Sequence, residues 1–201
     1  MKRSGLLLAS LAVVLIVGLT APSSVTAADP GSAFDQRVRG WAEQCAAEIV
    51  TQFDLLLTSG RLTVPQLFDT LYIPIPNTDP QKYMTQYDTL SDGAIRPILD
   101  KYLAFDKHLV FVVAVDRNGY LPSHNSKYSQ PMTGDGDHDT KWNRTKRLFN
   151  DRTGLAAARN KEPFLLQRYS RDTGENMADM SVPIIVQGRH WGALRIGYSS
   201  P

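Results

Sequence analysis

Residues 109–125 read LVFVVAVDRNGYLPSHN, and the fold turns on how this stretch is read. Leu109 to Val115 is an unbroken run of apolar, mostly β-branched or aromatic residues. Such a run is expected of a strand covered on both faces. Asp116-Arg117-Asn118-Gly119 then supplies a tight reversal, because Asn and Gly tolerate the backbone that a short turn requires. Tyr120 and Leu121 restart an extended segment, which Pro122 confines to a short or edge strand. The segment leaves through His124 and Asn125. A hydrophobic strand, a turn and a polar exit make a scaffold that presents a site, not a catalytic motif.

Toward the C-terminus the pattern is a β-meander. Phe164 to Ser170 reads as a strand, Arg171-Asp172-Thr173-Gly174 as its turn, and Met177 to Val186 as the next strand. Gln187-Gly188 turns again, and His190 to Tyr198 completes the sheet. Strict alternation puts Leu194, Ile196 and Tyr198 on one face of that last strand. It puts Trp191, Ala193 and Arg195 on the other, with the indole beside the guanidinium.

Toward the N-terminus the periodicity changes. Phe34, Val38, Trp41, Cys45, Ile49, Phe53 and Leu56 recur every three or four residues, predicting one amphipathic helix over 34–59 with Gly60 ending it. At 1.5 Å per residue it would be about 40 Å long, enough for part of its stripe to pair with a second copy. Leu62 to Tyr72 predicts a short helix opened by Thr63, and Ile73-Pro74-Ile75-Pro76 an extended segment. A further helix is expected from Ser91, carrying Ile95, Ile98, Leu99, Tyr102 and Leu103 inward with Pro97 near its start. Helices come first and strands after, so the fold class is α+β.

Between the two blocks, 126–161 is polar. Gly134 to Asp139 alternates aspartates, but the calcium-loop template fails: Thr140 stands where glycine is needed and Lys146 where glutamate is needed. A solvated Gly/Asp turn is the expectation there. Asn143 to Asn150 is expected to be a short helix with Leu148 and Phe149 inward. Arg144, Arg147, Arg152 and Arg159 follow closely, and one arginine facing a cavity suffices to hold a carboxylate in bidentate fashion.

Residues 1–28 read as an export signal, with Lys2 and Arg3 ahead of the apolar run Leu6 to Leu19 and small residues before Ala28. That run is short of the ~20 residues that span a bilayer, so cleavage is expected over an inner-membrane anchor formed by residues 6–19. Residues 29–201 remain as one periplasmic domain. The chain carries a formal charge of +2, and Lys2 and Arg3 leave with the signal, so the mature domain is neutral. Neutrality argues against nucleic acid as a partner. Cys45 is the only cysteine, which excludes an internal disulfide, a covalent haem attachment and a zinc-type cysteine pair.

VVAVDRNGYLPSHN, YSQP, NRTKRLFNDRTGLAAARN, EPFLLQRYSRDTGE and SVPIIVQGRHWGALRIGY together resemble the extracytoplasmic sensor region of bacterial methyl-accepting chemotaxis receptors, of the PAS-like single Cache type. The resemblance covers about residues 34–198. It implies a long N-terminal helix packed on an antiparallel sheet of about five strands, with a small-ligand pocket between sheet and covering loops. Such receptors continue past the last strand into a second membrane helix and a signalling domain, where this sequence ends at Ser199-Ser200-Pro201. The implied role is therefore a non-enzymatic, cofactor-free binding module that acts through a membrane receptor or transporter, its ligand a small organic anion, most simply a carboxylate. The residues proposed for the pocket are Tyr120, His124, Arg147, Arg152, Tyr169, Asp179 and Arg195. A noncovalent haem or metal sensor with His124 as ligand, assisted by His138 or His190, is an alternative; so is a homodimer through the N-terminal helix that binds nothing.

Overall fold

Ser32 opens the architecture with a reciprocal cap: its hydroxyl accepts the Asp35 N–H at 3.2 Å, and the Asp35 carboxylate accepts the Ser32 N–H at 2.7 Å. Helix α1, Ala33–Thr58, follows. The computed structural model describes residues 31–170 and 176–199; the export segment and the 171–174 turn expected from the sequence lie outside them. Phe34, Val38, Cys45, Ile49, Phe53 and Leu56 are buried and Trp41 is half-buried, so the apolar stripe of α1 is covered within this chain. Among the large apolar residues of α1, Leu55 is the exposed one.

Helix α2 is only Val64–Leu67. The expected continuation to Tyr72 is lost because the Asp69 carboxylate accepts the Leu71 N–H at 2.9 Å, a local bond that competes with the helix. Strands β1 (Ile73–Pro74) and β2 (Tyr83–Met84) then pair as a small antiparallel ribbon. Helix α3 is Asp88–Leu103, three residues longer at its start than the sequence suggests. Asp88 fixes that start by accepting both the N–H and the hydroxyl of Thr85. Pro97 consequently sits mid-helix, with no N–H to offer the Gly93 carbonyl.

The main sheet joins β3 (Leu109–Asp116), β6 (Leu165–Ser170), β7 (Asn176–Val186) and β8 (Arg189–Ser199) in the antiparallel order β3-β8-β7-β6. It has four strands. Strand β4 (Tyr120–Leu121) does not extend it, but pairs with β5 (Arg147–Leu148) in a separate ribbon. Two corrections concern 126–161. The Gly/Asp run is solvated over 134–137 as expected, but it opens a helix rather than a turn: Asp135 caps helix α4, Gly136–Trp142, and Asp139 is buried with its carboxylate accepting the N–H groups of Thr133 and Gly134. Asn143 to Asn150 is extended rather than helical. Lys146 has φ 61°, which no α-helix accommodates, and the Lys146 and Phe149 N–H groups bond to the Leu121 and Gly119 carbonyls. The helix comes just after it: Asp151 caps α5, Arg152–Arg159.

One face of the sheet packs on α1 and α3 through Val112, Ala114, Met180, Val182, Leu194, Ile196 and Tyr198. The other carries a smaller cluster of Val113, Val115, Leu121, Ala158 and Ala193, flanked by Phe111 and Phe149. Trp191 is not beside Arg195. Ile184 pairs with Gly192 and Ile185 with His190, so Trp191 is the extra residue of a β-bulge that inverts the alternation. The indole turns to the helix face, 5.1 Å from the Phe53 ring, and its N–H donates to the Leu67 carbonyl at 3.0 Å.

Beside the bulge, a Cβ on Gly192 would stand 2.0 Å from the Val115 carbonyl oxygen. Backbone cannot yield as a flexible side chain would. Gly192→Ala is therefore expected to destabilise the fold by about 3 kcal/mol, the upper end for overpacking, as a lowered urea midpoint at unchanged slope.

Candidate ligand-binding site

On the sheet face away from α1, a cavity of about 300 Å³ lies between β3, β6 and β8 and the covering segments from β4 to α5. Its apolar wall is Phe111, Val113, Val115, Leu121 and Phe149. Gly197 shapes the floor: a Cβ there would meet the Phe111 ring at 2.2 Å, so glycine lets that ring lie flat across the strand. The polar lining is His124, Arg144, Asp151, Thr153, Tyr169 and Arg195.

Arg195 projects from β8 and is 7% exposed. Burial opposes its charge, but the Asp179 carboxylate on neighbouring β7 more than restores it and holds its pKa above the ordinary value. Asp179 takes the Nε and Nη2 edge of the guanidinium, at 3.1 and 2.5 Å. Among the described residues Nη1 makes no hydrogen bond to protein, so that corner remains for the cavity. A fork pre-oriented by a buried carboxylate is well suited to a planar oxyanion.

His124 is held at the opposite side. Asn125 Oδ1 accepts the Val112 N–H at 2.9 Å, which ties the covering segment to the open edge of β3. The Asn125 N–H in turn donates to His124 Nδ1 at 2.7 Å, so in the neutral ring the proton sits on Nε2. Burial, with Arg144, Arg147 and Arg96 nearby, pushes its pKa down to about 3. Tyr128 and Phe111 flank the ring at 4.8 and 6.4 Å between centroids. His124 is thus a neutral, apolar-walled donor at physiological pH.

Of the residues singled out from the sequence, the structure brings His124, Tyr169 and Arg195 to one cavity, with Asp179 behind Arg195. Tyr120 does not line it: it is buried beside Tyr72 and Tyr87, with its hydroxyl 2.8 Å from the Asp88 carboxylate. Arg152 is exposed in the first turn of α5, while its neighbours Asp151 and Thr153 face the cavity. Arg147 lies outside the lining; burial and Arg144 push its pKa down to about 10, and it remains charged. Arg144 takes the place foreseen for Arg147. Both guanidiniums lie over the Phe149 ring, at 5.0 and 5.2 Å, and both donate to the Thr140 carbonyl. Reading 143–150 as a helix hid Arg144 and Phe149. The legible signal was Asp151 ahead of Gly154 and Ala156-Ala157-Ala158, an N-cap and good helix formers, which would have placed α5 and its first turn.

His138 lies on α4 against Asp139, and His190 lines a different cavity, so neither meets His124. Among the described residues no three His, Cys, Asp or Glu side chains group as a metal site, and no helix is long and apolar enough to cross a membrane. Cys45 lies on the buried face of α1, and burial pushes its thiol pKa up.

No family model matches the sequence, and no curated protein matches it. Several solved structures share some likeness. One is an extracellular ligand-binding receptor from Desulfohalobium retbaense (14% identity, TM-score 0.37), which overlaps 79% of this chain and 24% of that one. Another is the ligand-binding domain of the amino acid chemoreceptor PctC of Pseudomonas aeruginosa, solved with GABA (13% identity, TM-score 0.24), overlapping 84% of this chain and 65% of that one. The chain thus spans about a quarter of the first protein's length and under two thirds of the second's.

The ion pair and the histidine each give a measurable expectation. Arg195→Met strands the buried Asp179 charge and should cost about 3–5 kcal/mol in urea unfolding, most of it recovered in Arg195→Met/Asp179→Leu. His124 has a folded pKa of about 3 against 6.5 unfolded, so the unfolded chain binds its proton first. Its contribution to stability is complete above pH 6.5 and is lost progressively as pH falls toward 3. In NMR titrations the His124 ring shifts should stay flat from about pH 8 to 5, and His124→Gln should flatten the melting-temperature slope below about pH 6.

Proposed function

We propose that this domain is an exported ligand-binding sensor module, of the PAS-like single Cache type found in methyl-accepting chemotaxis receptors, that takes a small organic monocarboxylate. The observation that carries the reading is Arg195: buried, oriented from behind by Asp179, and offering Nη1 to an aromatic- and aliphatic-walled cavity. The charge balance selects the ligand. Asp179 and Asp151 offset the charges of Arg195 and Arg144 around this cavity, which disfavours a multiply charged anion and leaves the Arg195 Nη1 donor to hold at most one carboxylate. About 300 Å³ lies at the small end of ligand cavities and fits a carboxylate on a short apolar body against Val113, Val115 and Leu121.

Ligand binding would favour the arrangement in which the covering segments close on the sheet, and the signal would be that shift in population. Export with cleavage of residues 1–28 places the domain in the periplasm, where a membrane receptor or transporter would read the closed form.

A thermal-shift screen of the mature domain with short monocarboxylates tests this. A saturable rise in melting temperature marks a ligand that binds only the folded state. Arg144→Gln should weaken the response about tenfold, the usual worth of one charge-assisted hydrogen bond, and Val115→Phe should abolish it by filling the cavity. A folded domain that no carboxylate stabilises, or a response that survives Val115→Phe, would sink the reading.

A further inference from the structure

At the end of the sheet farthest from Ser32 and Ser199 lies a second cavity, of about 540 Å³, with a different chemistry. Arg117 follows β3, Arg159 ends α5, Lys161 stands two residues beyond, and Arg189 opens β8; all four line it, together with Asn118 and His190. None of these four cations has an ion-pair partner among the described residues. Of the carboxylates adjoining the lining residues in the chain, Asp116 is turned inward, its oxygens accepting from the Tyr72 and Tyr87 hydroxyls and from the N–H groups of Asn118 and Tyr120. The Asp69 carboxylate accepts the N–H groups of Leu71 and Gln86, while Glu162, next to Lys161, forms no ion pair among the described residues.

Two of the cations are held in place rather than loose in solvent. Arg159 Nε donates to the Arg117 carbonyl at 3.4 Å, and the Arg189 guanidinium stacks 4.0 Å above the Phe68 ring. His190 adds a half-buried ring, and burial lowers its pKa. Four cations around one cavity make a positive field that attracts an anion, and a single carboxylate would offset only one of the four charges. We infer that this cavity is a binding site for a doubly charged tetrahedral oxyanion, a phosphate group either free or carried on a small ester. It is separate from the first site: Arg189 and Arg195 are six residues apart on β8, about 20 Å along an extended strand.

Calorimetric titration of the mature domain with sodium phosphate, against sodium chloride at equal ionic strength, tests the assignment, with glycerol 3-phosphate as a parallel arm. Saturable phosphate heat that chloride does not reproduce is expected. Arg159→Gln/Arg189→Gln, both exposed positions whose folding is checked by circular dichroism, should weaken binding by about tenfold or more. Val115→Phe, which fills the first cavity, should leave it unchanged. Tighter binding of glycerol 3-phosphate assigns the site to a phosphomonoester, and equal or weaker binding assigns it to the free ion. Equal heats from chloride, full binding in the double variant, or loss of binding in Val115→Phe would each overturn it.

Discussion

A single inserted residue in β8 decides which side chains meet on each face of the sheet. Without the bulge at Trp191, the indole would project with Ala193 and Arg195 into the smaller face, while the helix side would lose its largest aromatic contact to Phe53. With it, the strand serves two masters. Its start contributes Trp191 to the core under α1, and its middle returns to register so that Leu194, Ile196 and Tyr198 keep facing the helices while Arg195 faces the cavity. The close approach of Gly192 to the Val115 carbonyl is the local condition for that offset. The central strand thus separates an apolar core from a polar cavity within a thickness of one residue.

Buried carboxylates then organise what the sheet cannot. Asp35 starts α1 and also accepts the Tyr198 hydroxyl at 2.5 Å, joining the first helix to the last strand. Asp116, whose pKa burial raises, gathers Tyr72, Tyr87 and the turn after β3. Asp139 folds the Thr133-Gly134 corner onto α4. Lys82 reaches from the small ribbon to Asn143 and the Thr145 carbonyl, and burial with Arg147 and Lys146 nearby lowers its pKa to about 8. Contacts of this kind fix geometry while contributing modest net stability, since each exchanges hydration for protein partners. The covering segments are therefore held together largely by polar bonds and rest on the sheet through the small apolar cluster of Leu121, Phe149 and Ala158, while the sheet's other face is a dense apolar core.

The same contrast explains which parts were readable in the sequence. Apolar periodicity reports burial against a continuous face, so α1, α3, β3, β7 and β8 are all legible, as is the α+β order. The covering segments have no such face. Their course rests on Lys146 at positive φ, on the Asp69 side chain ending α2, and on Asp135 and Asp151 as caps, each a single-residue event. The site inherits this split. Arg195 and Tyr169 stand on strands and could be found from the sequence, as could His124 at the exit of the β3 reversal. Arg144, Phe149 and Thr153 stand on segments whose conformation no period announces. Tyr120 carried an aromatic hydroxyl beside the predicted turn, but β4 leaves the sheet for β5, and the ring turns under Tyr72.

That division of labour suits a sensor of the proposed kind. A ligand can bias two arrangements only if it contacts both parts that move relative to each other. Arg195 and Phe111 belong to the apolar-backed sheet; Arg144, Phe149 and Thr153 belong to the polar-bonded cover. A carboxylate held at Arg195 Nη1 would present its body to the cover, and its binding energy would fall on the joint between the strongly and weakly held halves of the domain. Local opening free energies are lowest where backbone hydrogen bonds are few and apolar contacts sparse, which is where the cover meets the sheet. On the proposed reading, the cavity lies at the boundary between sheet and cover, where a small differential affinity would move an equilibrium.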